Sequence, residues 1–189
     1  MDFLGNFFWK KKPKKSKYLE DEKESIEISF VKKFTSDGGK FLYCENDEEL
    51  KRNFQNIIIE NKISNSELFS FENSFCDYMH FNDQVLNPKA LMMSCEFLIS
   101  DQGSIMVSNH QILDKKLDQL PEILIIMAKT TDFKNDVSEA MSAIKNKYGK
   151  SIPTNITNIH PMNPKTKSNF ISYKRTSKEL YLLLRDVNK

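Results

Sequence analysis

The sequence predicts an α/β domain in which a mostly parallel sheet is flanked by helices. Short apolar runs of the kind that form buried strands alternate with longer segments whose apolar residues recur at helical spacing. Parallel strands need a crossover between them, and that crossover is usually a helix. The 189 residues of the chain are enough for one domain with a substantial hydrophobic core.

Residues 90–127 contain the three clearest strand patterns. Two apolar runs flank the turn Ser100-Asp101-Gln102-Gly103, in which Gly103 can adopt a positive φ. A third run, at residues 123–127, is short, branched and uninterrupted, which is typical of a strand buried on both faces. We therefore expect this stretch to form the core of the sheet.

Periodicity and capping residues predict the other elements. A helix is expected over residues 18–34, and Gly38-Gly39 ends it. A strand follows at residues 40–44, and the acidic segment 45–49 caps a helix that reaches Glu60. A later helix, capped by Thr131 or Asp132, runs to Tyr148 and stops at Gly149. Further strands are predicted at residues 68–71, 155–159 and 179–184.

The first 17 residues differ in composition from the rest of the chain. They hold six lysines and one acid, which leaves 22 basic and 25 acidic residues in a mildly acidic body. We expect a flexible tail at residues 1–17 and a single domain at residues 18–189. A weak contact of the tail with a membrane surface is the alternative, since aromatic residues precede the lysines. An acidic body argues against a nucleic-acid surface on the domain.

The cysteines and glycines exclude several common cofactor sites. Cys44, Cys76 and Cys95 lie far apart without a CxxC pair, so we expect reduced thiols, a cytoplasmic location and no iron–sulphur or zinc site held by this chain alone. Five glycines cannot supply a GxGxxG motif or a P-loop. The three histidines show no metal-ligand spacing, and we predict neither a metal nor a cofactor.

One group of polar residues is the predicted ligand site. If the strands that end near Ser100 and Ile159 lie at the sheet centre, the segments after them converge at one edge. Gln102 and Ser104 could then donate to a carboxylate or phosphate, Gly103 would permit close approach, and Asp101 would favour a hydroxyl or amine. The predicted ligand-binding residues are Asp101, Gln102, Gly103, Ser104, Asn158 and His160. A plain hairpin turn is the competing interpretation.

No catalytic residue is predicted. Glu96 is the one acid inside an apolar strand run, and burial would raise its pKa and make it a candidate acid or base. Unpaired acids are rarely buried, so we expect a partly exposed glutamate at a sheet edge. His110 is expected to be an exposed loop residue, and whether the chain is an enzyme stays open.

The core stretch also carries a family resemblance. The turn Asp101-Gln102-Gly103-Ser104-Ile105 and the step Leu120-Pro121-Glu122-Ile123 resemble signature segments of the LUD domain family, in particular its lactate-utilisation protein C branch. Segments 38–45 and 152–157 are similar to its short subgroup, so the resemblance spans roughly residues 30–185. It implies the fold variant shared with ribose-phosphate isomerases and CoA transferases. It also implies an accessory subunit in the oxidation of L-lactate to pyruvate, one without its own redox centre, whose partners are iron–sulphur and redox subunits.

Three features of that family are missing here. Leu124 stands where other members carry a strand histidine, residues 160–169 replace a Gly-Pro-Ser run, and residues 176–178 replace a His-Gly-Pro step. A Gly-Pro-Ser loop at a helix start binds anions well. The alternative function is therefore a non-catalytic small-molecule-binding or scaffold module that has lost this loop. An isomerase- or transferase-like enzyme rests on fold analogy alone.

Overall fold

The computed structural model describes residues 24–75, 88–161 and 178–187, and it confirms the predicted α/β class. The helices are α1 (Ile26–Ser36), α2 (Asp47–Glu60), α3 (Asn109–Ile112) and α4 (Val137–Tyr148). The strands are β1 (Lys40–Cys44), β2 (Leu68–Phe69), β3 (Ala90–Met93), β4 (Phe97–Ile99), β5 (Ser104–Val107), β6 (Ile123–Lys129), β7 (Phe133–Lys134), β8 (Thr157–Ile159) and β9 (Glu179–Arg185).

Within the described residues, the main sheet has five strands in the order β1-β9-β6-β3-β2, and all of their pairs are parallel. Its central strand, β6, pairs with β3 on one side and with β9 on the other. The β6–β9 register runs over seven pairs, from Ile123 opposite Glu179 to Lys129 opposite Arg185. This arrangement explains why the β6 segment is an uninterrupted apolar run, because a central parallel strand is covered on both faces.

Alternate residues of the central strands enter two different hydrophobic clusters. In β6, Leu124 and Ile126 pack on the side of α1, whereas Ile123 and Ile125 pack on the side of α2. The side chains of one strand point alternately to the two faces of a sheet, which produces this division. The two helices therefore cover opposite faces of the main sheet.

In a second, smaller sheet, four of the described strands have the order β7-β4-β5-β8. The strands β4 and β5 form an antiparallel hairpin, β8 pairs antiparallel with β5, and β7 pairs parallel with β4. One face of this sheet joins the cluster that contains α1, and α4 packs on the other face through Ala140 and Ile144.

The expectation that residues 90–127 form the core of one sheet is wrong in part. Only β3 and β6 belong to the main sheet, and the β4–β5 hairpin lies in the smaller one. Apolar alternation indicates a buried strand, but it carries no information about which strand becomes its neighbour. The hairpin itself is confirmed, with Ile99 opposite Ser104 at its turn end.

Several predicted boundaries also differ from the structure. The helix that was predicted to be capped by Thr131 or Asp132 begins at Val137. Its N-cap is Asp136, whose side chain accepts from the Glu139 amide at 2.8 Å. Thr130–Asp132 instead forms a short 3₁₀ turn that precedes β7. The first helix begins at Ile26 with Ser25 as its cap. The tail at residues 1–17 lies outside the described residues.

Among the three described ranges, no helix is long and apolar enough to cross a membrane.

Candidate functional site

The carboxyl end of β3 is the place where polar side chains converge. Glu96 lies three positions after the end of β3 and directly before β4, in the segment where the chain leaves the main sheet. Two other elements, α3 and the last turn of α4, bring their side chains to the same place. The cluster, here called the Glu96 cluster, consists of Glu96, Ser108, His110, Gln111, Lys147 and Tyr148. Ligands of open α/β sheets commonly bind beyond the carboxyl ends of the strands.

Local capping holds α3 in position. Ser108 is the N-cap of this short helix, and its hydroxyl accepts from the His110 amide at 3.2 Å. Gln111 completes a capping box, because its side-chain oxygen accepts from the Ser108 amide at 2.9 Å. These bonds satisfy amides that a helix start leaves unpaired. They also set the position from which His110 reaches Glu96.

The Glu96 carboxylate is the centre of the cluster, and its side chain has no exposed surface. It accepts from the Ser108 hydroxyl at 2.7 Å, from the Tyr148 hydroxyl at 2.8 Å and from the Lys147 ammonium at 3.0 Å. Burial alone would raise the pKa of Glu96, but the bonds from Ser108, Tyr148 and Lys147 outweigh it and lower the pKa below its ordinary value. The carboxylate is therefore ionised and acts only as an acceptor.

The expectations for Glu96 are corrected on both points. Glu96 is buried and not a partly exposed edge residue, and the pKa of its carboxyl is lowered and not raised. The physical reason is that three donors surround it, and they lie 12 to 52 positions away along the chain. The sequence did not predict these three donors. Its one signal for the site was an acid, Glu96, inside an apolar strand run.

Lys147 and Tyr148 keep their protons in this arrangement. Burial alone would lower the pKa of Lys147, but hydrogen bonding with Tyr148 and Glu96 raises the pKa above its ordinary value. Burial raises the pKa of the Tyr148 phenol, and the adjacent Glu96 carboxylate raises it further. Tyr148 is thus a neutral donor, and Lys147 is a cation that neutralises the buried charge.

His110 lies at the outer side of the cluster, with 43% of its side chain exposed. Its Nδ1 is 3.3 Å from Glu96 Oε1 and 3.3 Å from the Tyr148 hydroxyl oxygen. Because an ionised carboxylate can only accept, the neutral form of the imidazole carries its proton on Nδ1 and its lone pair on Nε2. The cluster can therefore present a proton acceptor at the protein surface, oriented by a buried carboxylate, an arrangement known from catalytic histidines.

A second set of bonds supports the cluster from the inner side. Ser94 donates through its amide and its hydroxyl to the Glu72 carboxylate, at 2.6 Å in each case. Gln111 donates to the Ser94 hydroxyl at 3.3 Å and also lies 3.4 Å from Glu96 Oε1. The network is thus continuous from Glu72 to His110.

The predicted ligand turn lies elsewhere, against α1. Asp101 and Gln102 are exposed, whereas Gly103 and Ser104 are buried. Lys33 donates to the Asp101 carbonyl at 2.7 Å, and a Cβ added at Gly103 would lie 2.6 Å from the Lys33 Cβ. Gly103 therefore permits the turn to pack closely against α1. Ligand binding at this turn stays a prediction.

The strands that end near Ser100 and Ile159 are β4 and β8, and both lie in the small sheet instead of at the centre of the main sheet as expected. β5 lies between them, and among the described strands β8 pairs with β5 alone. Ile105 pairs with Ile159 and Met106 with Asn158, which places His160 next in register beside Ser104. The binding roles of Asn158 and His160 stay predictions.

The described residues contain few other candidates for chemistry. Cys44 and Cys95 are buried free thiols, and burial raises the pKa of each. Cys76 and His80 lie outside the described residues. Within the described part of the chain, no group of three or more His, Cys, Asp or Glu residues is placed to hold a metal ion. A depression of about 290 Å³ lies beside β1 and α2, where Lys40 pairs with Glu179.

Comparison with known proteins supports the fold. No protein-family model and no curated protein matches the chain. Among solved structures, a DUF162 family protein from Deinococcus radiodurans is similar, with a TM-score of 0.56 and 13% identity over 85% of this chain and 96% of that chain. At this identity the similarity concerns the fold alone. DUF162 corresponds to the LUD domain family, the family that the core segments of this sequence resemble.

Proposed function

We propose that this chain is a LUD-like accessory subunit in the oxidation of L-lactate to pyruvate. The observation that carries the proposal is a fold likeness to a DUF162 family protein over 96% of that protein, which agrees with the sequence resemblance. Two of the segments that carry the resemblance lie at the β4–β5 turn and at the entrance to β6. Partner subunits would hold the iron–sulphur clusters and the redox centre, because the three cysteines of this chain are far apart in sequence.

Deletion of the gene tests this function. The deletion strain is expected to lose growth on L-lactate and to grow normally on a carbon source that bypasses lactate. The wild-type gene should restore growth, and a tagged copy should recover iron–sulphur and redox subunits from cytoplasmic extract. Normal growth of the deletion strain on L-lactate, with no redox partner recovered, would contradict the proposal.

The second candidate is a small-molecule-binding module without catalysis of its own. The observation that favours it is the Glu96 cluster, which gathers hydrogen-bonding groups at a strand end without a recognised catalytic triad. A ligand present at about 100 times its Kd stabilises the folded state by about 2.7 kcal/mol. For a domain of this size, that corresponds to a rise in Tm of roughly 5–11 °C. A thermal-shift screen of metabolites separates this candidate from the first. The screen uses the purified protein whose gene restores growth to the deletion strain.

A further inference from the structure

The Glu96 cluster has a property that the proposed function leaves unused. A buried acceptor fixes the proton of His110 on Nδ1, so that Nε2 offers a lone pair. Within the described ranges, no side chain or amide forms a hydrogen bond with Nε2. The site thus selects a partner that can donate, and a hydroxyl group is the simplest donor of that kind.

Lys147 supplies the second element of recognition. Its ammonium has three protons, one of which is directed to Glu96 Oε2 at 3.0 Å, while half of the side chain is exposed. The Glu96 side chain has no exposed surface, so an anion at the surface does not contact its carboxylate. A carboxylate near Lys147 can therefore be bound by a cation.

We propose that the outer side of the Glu96 cluster binds a small hydroxycarboxylate. His110 Nε2 accepts a hydrogen bond from the hydroxyl, Lys147 pairs with the carboxylate, and Glu96 positions the imidazole. This inference rests on the proposed function only for the choice of L-lactate as the probe. It assigns no bond-breaking step to this chain.

The test is a titration of the purified full-length protein followed by NMR of ¹⁵N-labelled histidine. L-Lactate should shift the His110 resonances. Pyruvate has the carboxylate but no hydroxyl, so it should bind about tenfold more weakly, the ratio expected for one hydrogen bond. His110→Ala should weaken L-lactate binding by a similar factor and remove the preference for lactate over pyruvate.

Two lysine variants form a matched pair. Lys147→Met should weaken the binding of both acids, whereas Lys145→Met, an exposed lysine two positions earlier on α4, should leave both affinities unchanged. Glu96→Gln tests the positioning role, since the ¹⁵N spectrum should then show protonation divided between Nδ1 and Nε2 of His110. Thermal denaturation of each variant verifies that it is folded before it is titrated.

The outcomes separate this inference from the proposed function. Absence of L-lactate binding by the wild type, equal affinity for pyruvate, or unchanged binding by folded His110→Ala would overturn the inference. Each of these results would leave the accessory role in lactate oxidation intact. Normal growth of the deletion strain on L-lactate would instead overturn the function, whatever the titration shows.

Discussion

Replacement of Gly103 by alanine tests how the β4–β5 turn packs on α1. Gly103 has a φ of 58°, and a Cβ there would lie 2.6 Å from the Lys33 Cβ and 2.7 Å from the Phe34 backbone nitrogen. Such distances are too short for carbon contacts, so backbone must move. The left-handed conformation costs an alanine about 1–2 kcal/mol, and overpacking costs about 1–3 kcal/mol. We expect the free energy of unfolding to fall by about 2–5 kcal/mol.

Gly149 offers a matched control. Its φ is 57°, but no atom lies within 4 Å of the Cβ position. Gly149→Ala should therefore cost only the conformational part, about 1–3 kcal/mol for a backbone with φ 57° and ψ −112°. Urea denaturation of both variants gives the difference, which measures the close approach of the turn to α1. If the two variants lose stability equally, within about 0.5 kcal/mol, the packing argument is refuted.

Three further predictions concern Glu96, Asp136 and the buried thiols. The pKa of Glu96 is lowered in the folded state, so the stability it contributes is present above its ordinary value of 4.5 and is lost as pH falls below it. Glu96→Gln should weaken this acid dependence in urea denaturation, and an unchanged pH profile would contradict the assignment. Asp136→Ala removes the N-cap of α4 and should cost about 1 kcal/mol, whereas an unaltered denaturation midpoint would exclude the cap. In a Cys76→Ser background, Cys44 and Cys95 should react with Ellman's reagent only after denaturation, because burial covers them and raises their pKa; rapid reaction of the native protein would disprove their burial.

Local patterns predicted several elements from the sequence alone. The strand at Lys40–Cys44 and the helix that ends at Glu60 agree with the structure at every predicted end, and Gly149 caps α4 as expected. The hairpin around Gly103 was also predictable. In each case the signal lies within a few positions of the element, since capping, turn formation and apolar periodicity are interactions between near neighbours in sequence.

The tertiary structure decided which strands are neighbours and what surrounds each buried polar group. Apolar patterns did not show that β4 and β5 leave the main sheet for a second one, because strand pairing depends on contacts distant in sequence. The environment of Glu96 is assembled from residues up to 52 positions away, and the neighbours of Gly103 lie on α1, near the start of the fold. The residues next to Glu96 in the sequence do not show whether its carboxyl is buried alone or among three donors. The donors determine whether the pKa of Glu96 is raised or lowered, and only the folded chain brings them together.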